Sequence, residues 1–224
     1  MIIGLIGNIG CGKGTVADIL VKNQGFEKES FANSVKDAVS VIFGWDRKLL
    51  EGDTNFSREW RELPDPYWSA KFGKSFSPRY ALQLMGTEAG RNVFDENLWV
   101  YSLEKRCKPS VNYVIADVRF TNEIDMIRKS GGKIVWVRRG NLPEWYSTAL
   151  NQNSTPEDEQ WVLEDKGELM EQKYPEVHIS EWAWISAKYD AVICNDFTIE
   201  RLEKTVDDLL YSFFNYGPEA IEVI

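Results

Sequence analysis

The feature that most restricts this chain lies at its start. An apolar run, Ile2-Ile3-Gly4-Leu5-Ile6, leads into Gly7-Asn8-Ile9-Gly10-Cys11-Gly12-Lys13-Gly14-Thr15, and an amphipathic stretch follows over residues 16–22. Few folds send a buried strand through so glycine-rich a loop straight into a helix. Small residues let successive backbone N–H groups turn inward on an anion held at the helix N-terminus. The spacing from Gly7 to Gly12 and Lys13 is that of a phosphate-binding loop, with Lys13 reaching the terminal phosphates and Gly10, Cys11, Gly12, Gly14 and Thr15 in the cradle. An ordinary strand-to-helix turn is the competing reading, and the order strand, loop, amphipathic helix speaks against it. One departure matters: Gly14 stands where Ser or Thr usually follows the lysine, so direct ligation of Mg²⁺ by the hydroxyl of Thr15 is left open.

Length and charge narrow the partners. The 224 residues suit a single α/β domain over 1–224 with two inserts, at 45–78 on the acceptor side and at 140–187 as a lid. A net charge of −9, from 26 Lys and Arg against 35 Asp and Glu, opposes binding to nucleic acid. It does not oppose a small phosphorylated ligand, for which a few local cations and N–H groups suffice once distant charge is screened. Cys11, Cys107 and Cys194 show no CxxC pairing, which argues against a disulfide framework or zinc and predicts a reducing cytoplasm. No segment has the length or hydrophobicity of a membrane span, so no membrane partner is expected.

Strand and helix patterns alternate along the rest. A short strand is predicted within 25–31, and a helix over 32–43 carries Val35, Ala38, Val39 and Ile42 and is closed by Gly44. Residues 45–78 hold Trp45, Trp60, Trp68 and three prolines without a sustained period; they read as a mobile substrate-side segment or as a surface loop packed by its own aromatics. Helices are predicted over 79–93 and from 98, capped by Asn97, then a strand over 113–116 ending at Asp117, a helix over 122–129 and a strand over 133–137. After an acidic stretch at 151–159 come a strand over 189–194, a turn at Asn195-Asp196, a helix over 198–213 and a tail, 217–224, expected to fray. Such alternation predicts a parallel, doubly wound sheet.

In such sheets ligands gather beyond the carboxyl ends of the strands, which draws together Lys13, Asp117, Arg119, Arg138, Arg139 and Asn195. Asp117 has the place of a carboxylate that holds Mg²⁺, directly or through water; capping the next turn is its other reading. Arg79 opens a helix, where a cation opposes the helix dipole, and an anionic ligand would explain it. Gly86 and Thr87 interrupt a good helix, at a cost on the order of 1 kcal/mol, which close approach to a ligand would explain. Arg91 follows one turn later. Asp117 and Arg119 can share a face, with their mutual salt bridge as the alternative. Trp99 is either a stacking platform for a base or core.

These segments, in order, resemble bacteriophage deoxynucleoside monophosphate kinases of the P-loop nucleoside monophosphate kinase superfamily. The likeness rests on Gly12-Lys13-Gly14-Thr15, Val35-Lys36-Asp37-Ala38, Arg79 with Leu84-Met85-Gly86-Thr87-Glu88, Phe94-Asp95, Trp99-Val100, Asp117-Val118-Arg119 with Glu123, Val135-Trp136-Val137-Arg138, His178-Ile179-Ser180-Glu181 and Cys194-Asn195-Asp196. It spans the core but neither insert. It implies a three-layer P-loop kinase fold and in-line, Mg²⁺-assisted transfer of the γ-phosphoryl group of ATP to a 5′-deoxynucleoside monophosphate, for deoxynucleotide supply in a cytoplasm, the host's if the chain is phage-encoded. Lys13, Arg79, Asp117 and Arg119 are then the catalytic candidates.

The resemblance also places Lys36, Arg79, Gly86, Thr87, Arg91, Trp99, Asp117, Arg119 and Glu123 around the acceptor. Arg47 is preferred among the arginines of the first insert, and Arg138 and Asn195 are set against ATP. A homodimer is left open. His178 with Ser180 and Glu181 lacks the companions a hydrolase needs. Two rivals stand beside this reading. A dephospho-coenzyme A kinase would need a carboxylate base at an acceptor hydroxyl, and a nucleotide-binding switch or adaptor would bind without transfer.

Overall fold

The computed structural model describes residues 1–154, 169–215 and 221–223. In chain order its elements are β1 (Ile2–Ile6), α1 (Lys13–Gln24), β2 (Glu27–Glu29), α2 (Asn33–Phe43), α3 (Asn55–Glu62), α4 (Pro66–Phe72), α5 (Pro78–Leu84), a π-helix (Met85–Phe94) and α6 (Leu98–Arg106). There follow β3 (Tyr113–Ile115), α7 (Thr121–Lys129), β4 (Lys133–Arg138), α8 (Tyr146–Asn153), α9 (Met170–Lys173), a 3₁₀ turn (Ile179–Glu181), β5 (Ala191–Cys194), α10 (Ile199–Asn215) and β6 (Ile221–Val223). Two compact units result, Met1–Glu29 with Lys108–Ile224, and Ser30–Cys107.

The first unit is a parallel sheet in the order β2-β3-β1-β4-β5-β6. Strands covered on both faces need apolar residues throughout; β1 is buried from end to end, and so are the four central residues of β4. Alternate side chains of β1 serve opposite faces. Ile3 and Leu5 join Val16 and Leu20 of α1 and Leu209 of α10 in one apolar cluster, whereas a side chain at Gly4 would strike Ile127 of α7 on the other face. This is the three-layer, doubly wound α/β architecture expected, with helices on both faces of a parallel sheet. The end of the chain departs from the fraying expected there, because Ile221–Val223 pairs parallel with β5. Of the acidic stretch 151–159, residues 155–159 fall outside the described residues. No described helix is long and apolar enough to cross a membrane.

The second unit packs Val35, Val39, Trp45, Leu50, Phe76, Ala81 and Trp99 together. Residues 45–78 are more ordered than their lack of period suggests, since they contain α3 and α4. Each starts on a side-chain cap: Thr54 accepts from the N–H of Ser57, and Asp65 accepts from that of Trp68, with Pro66 opening its helix. Phe43 stacks on Trp45 with ring centres 4.8 Å apart. The indoles spend their donors inside, Trp45 Nε1 on Asp65 Oδ2 at 2.8 Å and Trp68 Nε1 on the carbonyl of Phe43 at 3.0 Å. The single helix predicted over 79–93 is instead α5 followed by the π-helix, and Asn97 gives α6 no side-chain cap.

Candidate active site

The phosphate loop joins β1 to α1, and Gly12 forms the helix N-cap with φ 102° and ψ 17°. That left-handed backbone favours glycine. So does the neighbour: a Cβ at Gly12 would overlap Asn195 Nδ2, which lies at the end of β5 and donates to the carbonyl of Cys11 at 3.0 Å. Asn195, set against ATP from the sequence, thus also braces the loop. Lys13 folds back over the loop, donating from Nζ to the carbonyls of Gly7 at 2.6 Å and Asn8 at 2.9 Å. Burial holds its ammonium below the ordinary lysine range; Arg119 pushes the same way, while the Cys11 thiol and Glu181 oppose. A Cβ at Gly10 or Gly14 would meet nothing within 4 Å. Thr15 lies exposed in the first turn of α1.

The β3–α7 connection carries Asp117, Arg119 and Glu123. Glu123 is buried, and its Oε2 accepts from the backbone N–H groups of Arg119 at 2.8 Å and Phe120 at 3.1 Å. Its carboxylate thus shapes the turn that presents Arg119. The guanidinium of Arg119 pairs with Glu181 and donates to the carbonyl of Ser180 at 3.1 Å. His178, exposed, accepts from the N–H of Ser180 through Nδ1 at 3.2 Å, a cap on the 3₁₀ turn. At the end of β4, Arg138 lies 4.9 Å over the ring of Trp136, and its buried Nε has no hydrogen-bond partner. Arg139 is exposed.

In the second unit Lys36 reaches Glu51 Oε2 at 2.5 Å. Arg47, the arginine preferred from the sequence, binds Asp37 and Glu51 and donates to Asn33 Oδ1 at 3.2 Å, so each guanidinium nitrogen has an internal acceptor. Burial raises the pKa of Glu51, but Lys36 and then Arg47 outweigh it and hold the carboxyl below its usual range. Gly86, Thr87 and Arg91 lie on the π-helix, a widened turn often found at functional sites. Thr87 is exposed, and Arg91 donates to the carbonyl of Glu96 at 3.2 Å. Trp99 is only 8% exposed and donates to the carbonyl of Gly86 at 2.8 Å, so its ring packs behind the π-helix. Arg79 is half exposed, with Nε 4.0 Å from Glu62.

A profile of the deoxynucleotide monophosphate kinase family matches residues 51–174. A protein of Acanthamoeba polyphaga mimivirus named as a deoxynucleotide monophosphate kinase is 33% identical over 156 residues, 63% of this chain and 76% of that protein. The chain belongs to the deoxynucleotide monophosphate kinase family. A second member, the deoxynucleoside-5′-monophosphate kinase of Escherichia phage T5, is 27% identical over 182 residues, covering 58% of this chain and 72% of that one. Shikimate kinase of Aquifex aeolicus aligns over 97% of this chain and 100% of its own at 16% identity and a TM-score of 0.41.

For a kinase of this family the fit to Mg²⁺ is a matter of donor type. Among the described residues no three His, Cys, Asp or Glu side chains group into a metal cage. Mg²⁺ needs none, since it keeps several waters and takes one or two protein oxygens beside the substrate phosphates, for which Asp117 and Thr15 are the candidate donors. Two carboxylates escaped the sequence reading as site residues. Glu51 carried no motif at all. Glu181 stood inside a segment of the family likeness, His178-Ile179-Ser180-Glu181, and that was the available signal.

Proposed function

We propose that the chain binds ATP on its phosphate loop and moves the γ-phosphoryl group onto the 5′-phosphate of a deoxynucleoside monophosphate. An oxygen of the acceptor phosphate attacks Pγ, the bond from Pγ to the β–γ bridging oxygen breaks, and the products are ADP and a deoxynucleoside diphosphate. The acceptor is already an anion, so no strong general base is needed. Lys13 and the loop N–H groups hold the donor, and Arg119 meets charge spread over the transferred group. Asp117, and Thr15 if its hydroxyl reaches, would hold Mg²⁺ beside the nucleotide, where it would neutralise charge on the phosphate oxygens. Lys36, Arg79, Gly86, Thr87 and Arg91 serve the acceptor; Glu123 acts through the turn it fixes, and Trp99 through the π-helix it backs. The setting is deoxynucleotide supply in the cytoplasm, that of the host for a phage-encoded chain.

What carries this reading is Lys13, at the start of α1 behind a glycine-rich loop and folded over the carbonyls of Gly7 and Asn8, in a chain of this family. The test is ADP release with dAMP, dCMP, dGMP, dTMP, hydroxymethyl-dCMP and their ribonucleotide counterparts, with Lys13→Ala as control. Turnover confined to alcohol acceptors, or ATP binding with no turnover on any acceptor, would overturn it.

A further inference from the structure

We propose that Arg61, seconded by Arg79, is the subsite for the dianionic phosphate monoester of the acceptor, and that Gly52 is glycine so that the Arg61 guanidinium can occupy its place. The inference deepens the function proposed above and rests on it. Arg61 sits in the last turn of α3 and is half buried. Its Nε is shielded from solvent with no hydrogen-bond partner. Its Nη1 finds only the carbonyls of Leu50 and Glu51, both at a long 3.4 Å. A guanidinium taken out of water without its partners is costly, and the missing partner of a planar, five-donor cation is an oxyanion.

Its neighbours make the same case. Arg47 in this unit is answered by Asp37 and Glu51, and Arg58 is exposed and donates to the carbonyl of Gly52 at 3.0 Å. Arg61 has no carboxylate within salt-bridge distance among the described residues; Arg79 is its strongest charged neighbour and repels it. Arg79 in turn has Glu62 only at 4.0 Å. Two cations with no close ion pair, Glu62 and Asp53 being their weak counter-charges, form a site for a doubly charged ligand. Gly52 has φ 71°, and a Cβ built there would overlap Arg61 Cζ and Nη2. Since the guanidinium is the far end of a flexible side chain, alanine at 52 would displace it without removing its charge.

The experiment compares Arg61→Gln, Arg61→Lys and Gly52→Ala with the parent chain, after thermal melting shows each folded. Titration calorimetry would measure a deoxynucleoside monophosphate, the same deoxynucleoside without phosphate, and a nonhydrolysable ATP analogue. Loss of a charged hydrogen-bond partner predicts that affinity for the monophosphate falls roughly ten- to a hundredfold in Arg61→Gln, with the nucleoside and ATP analogue unchanged. Arg61→Lys and Gly52→Ala should lose less, in the same pattern, and acceptor KM should rise more than kcat falls. Unchanged monophosphate affinity in the folded Arg61→Gln and Gly52→Ala proteins overturns the inference while leaving the kinase reading intact. Should the parent chain phosphorylate no nucleotide, the functional reading fails separately, and inorganic phosphate decides the site: phosphate that raises the melting temperature of the parent but not of Arg61→Gln supports it, and equal protection overturns it.

Discussion

Replacing Gly12 by alanine tests how the phosphate loop is held, because two costs that arise there can be separated. The first is backbone strain. At φ 102° a residue with a Cβ is forced into a region costing about 1–3 kcal/mol. The second is the brace: the new methyl overlaps Asn195 Nδ2, which must leave the Cys11 carbonyl it now reaches at 3.0 Å. A lost hydrogen bond of this kind is worth about 1 kcal/mol. Gly12→Ala should therefore destabilise the nucleotide-free protein by about 2–4 kcal/mol, a fall in Tm of roughly 5–15 °C for a chain of this size. In an Asn195→Ala background the brace is already gone, so the same substitution should cost only the strain, leaving a coupling of about 1 kcal/mol. Urea denaturation of the four proteins without nucleotide measures it, since bound ligand would add its own stabilisation. Equal costs of Gly12→Ala in both backgrounds would refute the claim that Asn195 excludes the side chain.

Three further outcomes are expected. In Glu181→Gln, Arg119 loses the carboxylate that competes with phosphate, so calorimetry should show a nonhydrolysable ATP analogue binding about 1 kcal/mol, or roughly fivefold, more tightly; weaker binding would mean that Glu181 instead orients Arg119 for the donor. Because burial lowers the Lys13 pKa from 10.5, donor affinity should fall at a lower pH than an exposed lysine would give, and Lys13→Arg should flatten that alkaline limb; the stability of the ligand-free protein runs the other way, rising with pH between the folded pKa and 10.5 as the unfolded chain keeps its proton longer. Glu51 has a folded pKa below 4.5, so its stabilisation is present above pH 4.5 and is lost as pH falls through the folded value; Glu51→Gln should cost about 1–3 kcal/mol at neutral pH and reduce the acid sensitivity of urea denaturation below pH 4.5.

The first unit was legible in the sequence because its causes are local. A buried parallel strand has to be apolar throughout, and the loop glycines precede a helix whose start they define. The second unit hid its order for an equally local reason. Helices of 8 and 7 residues, α3 and α4, are too short to build a period, and their signals were the caps at Thr54 and Asp65. The π-helix has no signature in a pattern read at 3.6 residues per turn, although Gly86 and Thr87 marked the place where the regular helix fails. The bond from Asn195 to the phosphate loop was not legible because its partner, Cys11, is 184 positions away.

Which cations stand ready for phosphate is the part of the site that no local reading could supply. A chain of net charge −9 binds anions only where its own carboxylates do not reach the cations first. Lys36 and Arg47 meet Glu51, 15 and 4 positions away, and Arg119 meets Glu181 across 62. For these side chains a phosphate has to displace an internal carboxylate, so each contributes to binding only the difference between the two pairings. Arg61 has no carboxylate within salt-bridge distance to displace among the described residues, with Glu62 and Asp53 acting on it only at longer range, so by the same reasoning it keeps more of the value of the new bond. Four arginines and lysines in residues 45–62 look alike as letters, and burial together with the placement of the acids makes them unequal.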